Sequence, residues 1–376
     1  MKKKITGSLM LLMVLALIIP IGLNAKVVKI GVQAPITGKY ANEGQGIDQA
    51  VRLIVEQKNA QGGLLGNKIE VISEDDEGTA VKAAFAAKNL INKKVMAVIG
   101  SYTSTCAAAP QKMYYKAGVL QTSDGTSDAL TKHAYWTFFR NSNPNSAEAI
   151  FTANHFINQR HYKKVAILSD YSSFAVGLGD AVKKEIEKLG GDVVYYGKIK
   201  AGNQNFTPIL TKIKSLHPDV IYFSGYYSDG GLLRSQQVQL DIKADFYGGD
   251  ANDNVDFVKL AGSAASGSYL INVPTPSLLP YDDAKKFLAD YEKKYGMKIP
   301  SIWTILNVDG LRAIMYAAEQ TNSLDTKVIA DFLHNMKKPF PGFTGPLSWD
   351  KKGERIGSSY FAYEIQPDNS YKVISK

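Results

Sequence analysis

Along this chain the apolar positions change period repeatedly, and each change marks a new element. Val27 to Val32 is an almost continuous apolar run of strand length. After a glycine-containing loop, Pro35 to Gly46, residues Ile47, Ala50, Val51, Ile54 and Val55 recur at helical spacing until Gly62, Gly63 and Gly66 stop them. Lys68 to Ser73 then alternates as a strand, Ala80 to Asn92 reads as a helix, Val95 to Gly100 as a strand, Ala107 to Ala117 as a helix and Val119 to Thr122 as a strand. A second series begins after Asn141-Ser142-Asn143-Pro144. It runs through helix Ser146 to Asn158, strand Lys164 to Ser169, helix Leu178 to Leu189, strand Val193 to Tyr196, helix Phe206 to Leu216, strand Val220 to Phe223, helix Gly231 to Leu240 and a short strand near Phe246. Beyond Pro274 and Pro276 come helices Asp283 to Tyr295, Ile302 to Gln320 and Thr326 to Asn335, then strands Tyr360 to Gln366 and Tyr371 to Ile374. Alternation of strand and helix implies parallel sheets covered on both faces, so the pattern predicts an α/β protein of two lobes.

The first residues stand outside that alternation. Lys2, Lys3 and Lys4 precede an apolar run from Leu9 to Ile19, and Leu23-Asn24-Ala25 places a small residue at a cleavage position, so residues 1–25 read as a secretory leader with the mature chain starting at Lys26. The run is shorter than the ~20 residues that cross a bilayer, and no second one follows. The single cysteine, Cys106, is too far downstream to carry a lipid at the cleavage site, which makes a soluble periplasmic monomer the expected product. The 351 residues left after cleavage are more than one compact core holds and suit two domains. Of the formal charge of +9, three units belong to the leader lysines; the remaining +6 is dispersed, without the basic blocks that bind nucleic acid.

In open parallel sheets, ligands sit beyond the carboxyl ends of the strands, where strand-to-helix loops present backbone N–H groups. The loops concerned are Pro35 to Gly46, Ser101 to Thr105, Ser123 to Ser127, Asp170 to Gly177, Ser224 to Gly230 and Gly249 to Asn254, each rich in hydroxyls, glycine or aromatics. Nothing in them spells catalysis. His133, His155, His161, His217 and His334 have no metal-ligand spacing to one another or to Cys106 and read as surface or helix-end residues. The glycine clusters lack a phosphate-loop or dinucleotide fingerprint, and no Gly-x-Ser-x-Gly elbow is present. Glu74-Asp75-Asp76-Glu77 lacks calcium-loop spacing and reads as a solvated strand end, and Cys106 without a companion base reads as inert packing. No catalytic residue, metal or cofactor is therefore expected.

Several of these segments occur in a familiar order. Pro35-Ile36-Thr37-Gly38, Gly62-Gly63-Leu64-Leu65-Gly66, Asp75-Asp76, Ile99 to Ser104, Phe343-Thr344-Gly345 and Trp349 to Arg355 together resemble the leucine/isoleucine/valine-binding proteins of bacterial ABC transporters, over essentially the whole mature chain. The resemblance implies a periplasmic-binding-protein type I fold: two Rossmann-like lobes with parallel-rich sheets, joined by a three-crossover hinge, closing on an amino acid and delivering it to a membrane permease. It places the first lobe at 27–143 and 275–347 and the second at 144–274 and 348–376. It also assigns Ser104 and Ser127 to the ligand carboxylate, with Thr105 and Thr126 beside them, the Gly125 carbonyl and Asp250 to the ammonium, Tyr226 to the second-lobe wall, and Tyr40 and Tyr102 to the ligand side chain.

A free amino acid carries both charges on one carbon, so a desolvated site must offer hydroxyl and N–H donors on one side and an acid on the other. Read apart from the resemblance, Ser104, Ser127 and Asp250 are helix or segment caps. This sequence departs from the family at Asp250, a methylene shorter than the family's glutamate, at Phe174 in place of a tyrosine, at Tyr102 in place of a smaller aliphatic residue and at Ser301 in place of a phenylalanine. Asp124, beside the donor loop, is expected to point outward. An aromatic acid or short amide as ligand, and a ligand-sensing regulatory protein, stay open as alternatives.

Overall fold

The computed structural model describes residues 27–357 and 359–376. The leader and the cleavage site before Lys26 lie outside the described residues. Among the described residues twelve α-helices and fourteen strands follow one another in chain order: β1 Val28–Ala34, α1 Ala41–Ala60, β2 Ile69–Asp75, α2 Ala80–Asn92, β3 Ala97–Gly100, α3 Ser104–Ala108, α4 Gln111–Ala117, β4 Leu120–Ser123, β5 Phe138–Arg140, α5 Asn145–Asn154, β6 Lys164–Ser169, α6 Ser173–Lys188, β7 Asp192–Lys198, α7 Thr207–Lys214, β8 Val220–Ser224, α8 Tyr227–Gln239, β9 Asp245–Gly248, α9 Val255–Ala261, β10 Tyr269–Asn272, α10 Asp282–Tyr295, α11 Ile302–Thr321, α12 Thr326–His334, β11 Phe340–Gly342, β12 Gly345–Leu347, β13 Phe361–Ile365 and β14 Tyr371–Ser375.

Two sheets organise these elements. The first has the order β2-β1-β3-β4-β5 with every pair parallel. The second has the order β14-β13-β10-β9-β8-β6-β7, parallel from β7 to β10 and closed by antiparallel β13 and β14. The chain passes between the lobes three times: after β5, after β10, and between the β11–β12 hairpin and β13. Helices α10 and α11 return to the first lobe, where Tyr291 Oη donates to Gln49 Oε1 at 2.6 Å and Gln57 Nε2 to Asp290 Oδ2 at 3.0 Å on α1.

Burial follows strand chemistry. β6 and β8 are covered on both faces, and their Val165 to Leu168 and Val220 to Phe223 stretches are fully buried, as expected of parallel strands flanked by helices. Three local readings of the sequence are corrected. The helix expected over Ala107 to Ala117 divides into α3 and α4 at Pro110, whose ring cannot continue an intrahelical hydrogen-bond ladder. Asp76 is buried rather than solvated, accepting from Gln33 Nε2 at 3.1 Å and the Gly78 amide at 3.0 Å, while Asp75 accepts from the Ile36 amide at 2.9 Å, so this acidic strand end holds the loop after β1. His155, rather than lying at the surface, is buried in a π turn that extends α5, between Gln159 Oε1 at 2.7 Å and Tyr247 Oη at 3.0 Å, and burial depresses its pKa.

Candidate ligand-binding site

The carboxyl ends of β1, β3 and β4 in the first lobe and of β6, β8 and β9 in the second face one another. Their loops close on a small space, with about 10 Å³ free, lined by Tyr102, Ser104, Asp124, Gly125, Thr126, Phe174, Tyr226, Asp250, Ala251 and Trp303. That is scarcely the room one water molecule needs, so the two sets of loops are closed on each other across the site. Tyr40 covers it, with ring centroids 4.6 Å from Tyr226 and 6.0 Å from Tyr102, and Phe174 packs 5.1 Å from Tyr226.

Each wall has a definite chemistry. On the first lobe, the Ser104 hydroxyl accepts from the Ser127 amide at 3.1 Å and the Ser127 hydroxyl from the Ala129 amide at 3.4 Å. Both hydroxyls thus use an oxygen lone pair and keep the proton for donation, the arrangement an oxyanion requires. Gly100 re-aims the chain into this wall: its φ is +113°, and a Cβ there would lie 1.9 Å from the Gln33 carbonyl oxygen. The Gly125 carbonyl accepts from Arg140 Nη1 at 2.8 Å and from Ser142 Oγ at 3.3 Å, which occupies both of its lone pairs.

Arg140 carries no label in the sequence, yet it sets the shape of this wall. It is fully buried at the end of β5, donates from Nη2 to the Ser127 carbonyl at 3.0 Å, and pairs through Nε with Glu354 Oε1 at 2.7 Å. Trp349 Nε1 donates to the Arg140 carbonyl at 2.6 Å and Arg355 Nη1 to the Asn141 carbonyl at 2.6 Å. The segment from Trp349 to Arg355 therefore clamps the first crossover and, through it, the donor loop.

Acids face the cavity from both lobes. Asp250 is fully buried after β9, and neither of its oxygens has a hydrogen-bond partner among the described residues. Burial pushes its carboxyl up to about 7. Glu148 of α5 lies behind it, accepting from the Asp250 amide at 3.2 Å and from Tyr222 Oη at 2.8 Å, and is driven well above the carboxylate range by burial and then by the Asp250 charge. Two buried carboxyls so close resist ionising together, so the pair holds a proton above the usual carboxylate range, and Asp250 is the member that lines the cavity. Gly249 permits this approach, since a Cβ there would fall 2.8 Å from Tyr222 Oη and 3.1 Å from Glu148 Oε1.

Asp124 does not point outward. It lines the cavity and is 1% exposed; burial raises its pKa well above the usual range, opposed by a hydrogen bond from the Asn307 side chain, with Glu43 and Asp250 adding to the rise. Ser301 is also placed elsewhere than the family pattern implies: it caps α11 and donates to Glu43, while Trp303 lines the cavity. Of the residues singled out in the sequence, seven line the cavity, Tyr40 covers it, Ser127 lies behind Ser104, and Thr105 serves the lobe interface, its Oγ1 3.1 Å from Ser173 Oγ. The interface is completed by Asn42 Nδ2, which donates to Asp256 Oδ2 at 2.6 Å and Asn254 Oδ1 at 3.2 Å, and by Asn254 Nδ2 to Glu43 Oε2 at 2.9 Å. Burial pushes Glu43 up to about 7. No group of three or more metal-ligating side chains occurs among the described residues, and Cys106 is buried with its thiol pKa pushed upward by burial.

Two α/β lobes meeting over a small polar cavity at their strand ends, with three crossings between them, define a two-lobed solute-binding protein. A family model described as periplasmic binding protein matches residues 27–370, and the chain belongs to that family. It is 28% identical over 355 residues to a Leu/Ile/Val-binding protein homolog of Brucella abortus, covering 93% of this chain and 94% of the relative. Among solved structures it resembles a leucine binding protein of Thermotoga maritima (TM-score 0.85, 25% identity, 93% and 98% of the two chains) and an isoleucine complex of a branched-chain amino acid transporter substrate binding protein of Streptococcus pneumoniae (TM-score 0.85, 28% identity, 93% and 100%). A benzoate-bound solute binding protein of R. palustris shares the fold at 19% identity, with a TM-score of 0.83 and 93% and 96% of the two chains covered. The type I architecture expected from the sequence is the one observed.

Proposed function

We propose that this protein is the exported binding component of an ABC importer for a small α-amino acid, holding its ligand between the lobes and delivering it to a membrane permease without chemical change. The carrying observation is the opposition of charge preferences across one cavity: the Ser104 hydroxyl with a proton to give, backed by Ser127, on the first lobe, and the buried carboxyl of Asp250 on the second. A zwitterion satisfies both sides, whereas an aromatic acid would bring a second anion to a cavity already lined by Asp124 and Asp250. In this reading residues 27–143 with 275–347, and 144–274 with 348–376, move as two bodies about the three crossings, and residues 1–25 direct export. A thermal-shift screen of the denaturant-stripped mature protein tests it. A bound amino acid at 100 times its dissociation constant should add ~2.7 kcal/mol; stabilisation by benzoate-like acids and by none of the α-amino acids would overturn it.

A further inference from the structure

A branched aliphatic ligand would leave much of the first-lobe wall unmatched. Three side chains that line the cavity there, Tyr102, Asp124 and Trp303, are 5%, 1% and 3% exposed; Tyr102 Oη and Trp303 Nε1 have no hydrogen-bond partner among the described residues, and Asp124 has only the neighbouring Asn307 side chain to oppose the cost of its burial. Asn307 stands one turn after Trp303 on the same face of α11 and gives its Nδ2 to the Trp303 carbonyl at 3.1 Å, which leaves its Oδ1 unpartnered as well. Buried polar groups are almost always paired, so these three lining side chains, with Asn307 behind them, point to a ligand group that pairs them.

Their chemistry is mixed. Trp303 Nε1 can only donate, Tyr102 Oη donates or accepts, the Asn307 carbonyl only accepts, and the Asp124 carboxyl, held in its protonated form by burial, both donates and accepts. A methyl-bearing side chain matches none of them, and an ammonium matches only the acceptors. A carboxamide, with an NH₂ and a carbonyl on one carbon, matches both.

Resting on the amino acid reading above, we propose that the ligand's own side chain ends in a primary carboxamide, its NH₂ given to Asp124 and its carbonyl oxygen receiving the Trp303 and Tyr102 donors. Asp124 is then a specificity-determining residue, separate from the Asp250 that meets the α-ammonium. A site built to hydrogen-bond a polar group rejects an analogue lacking it far more strongly than an apolar pocket rejects one methylene, because its own buried groups are left unpaired.

The test is calorimetric titration of the stripped mature protein with L-asparagine, L-glutamine, L-leucine, L-valine and L-ornithine. The expected result is that one of the amides binds at least tenfold tighter than leucine, valine or ornithine. Asp124→Leu should narrow the ratio of amide to leucine affinity to under threefold, and Asp124→Asn should retain part of it. Leucine or valine binding the parent as tightly as the better amide would overturn the carboxamide assignment while leaving the amino acid reading intact, as would ornithine binding best. Binding of none of the five would count against both. The parent's ranking of ligands decides the matter even if a variant folds poorly.

Discussion

Replacing Asp250 by asparagine should move ligand affinity and protein stability in opposite directions. The substitution keeps the shape and removes the charge. In the folded protein burial holds the Asp250 carboxyl near pH 7, against about 3.8 for an ordinary aspartate. Between those values the folded chain keeps a proton that the unfolded chain has released, so stability falls as pH rises from about 4 to about 7 and levels off above. The asparagine variant should therefore be more stable than the parent at pH 8 and no more stable at pH 4, seen as a higher melting point of the ligand-free protein at the higher pH only. Binding changes the other way. A charge-assisted hydrogen bond contributes about 1.5–3 kcal/mol, and a buried charge deprived of its partner costs about 3–5, so an α-ammonium facing asparagine should bind at least ~10²-fold more weakly. Differential scanning calorimetry at pH 4, 6 and 8 and isothermal titration at pH 8 read both effects. Binding within threefold of the parent, or a ligand-free variant no more stable than the parent at pH 8, would refute the assignment.

Three further outcomes follow from the same geometry. Because Asp250 must be ionised to meet an ammonium, titration at pH 6 in buffers of differing ionisation enthalpy should show release of up to about one proton per ligand, declining to none by pH 8.5; proton uptake at pH 6 would contradict the role. Asn42→Ala removes two hydrogen bonds that cross only between the lobes, a loss of about 1–2 kcal/mol from the closed form, and stopped-flow measurement should find dissociation ~5–30-fold faster with association little changed. Arg140→Met strands Glu354 and frees the Gly125 and Ser127 carbonyls, so thermal unfolding should show a loss of about 3–5 kcal/mol, and a loss below 1 would mean that the clamp is unimportant.

The elements with a full periodic signal were legible in the sequence. Helix α2 spans Ala80–Asn92 and strand β6 Lys164–Ser169, each with the expected bounds, because alanine-rich helical spacing and a buried β-branched run are strong local patterns. Short elements escaped: β5, β10 and the β11–β12 hairpin have three or four residues each, too few to display a period, and they owe their existence to neighbouring strands. The candidate site was legible wherever a residue follows a strand end, as Ser104, Tyr226 and Asp250 do. Asp124 follows one too, but an acid beside a carboxylate-binding loop reads as misplaced until its burial is seen. Trp303 sits in an apolar helical run that reads as core, and Glu148 on a helix reads as solvated; only the approach of α5 and α11 to the strand ends gives them roles. Arg140 was hidden for another reason, since its partners Gly125, Ser127 and Glu354 are brought to it by the crossover and the closing segment.

In the proposed reading the cleft recognises both charges of a free amino acid. The most direct test is calorimetric titration of the stripped mature protein with whichever L-amino acid stabilises it most, beside the same molecule without its amino group and the same molecule as its methyl ester. One ligand per chain is expected for the amino acid and at least ~10²-fold weaker binding for each analogue, one having nothing for Asp250 and the other no carboxylate for Ser104 and Ser127. An analogue without the amino group that binds within threefold of the parent amino acid would contradict it.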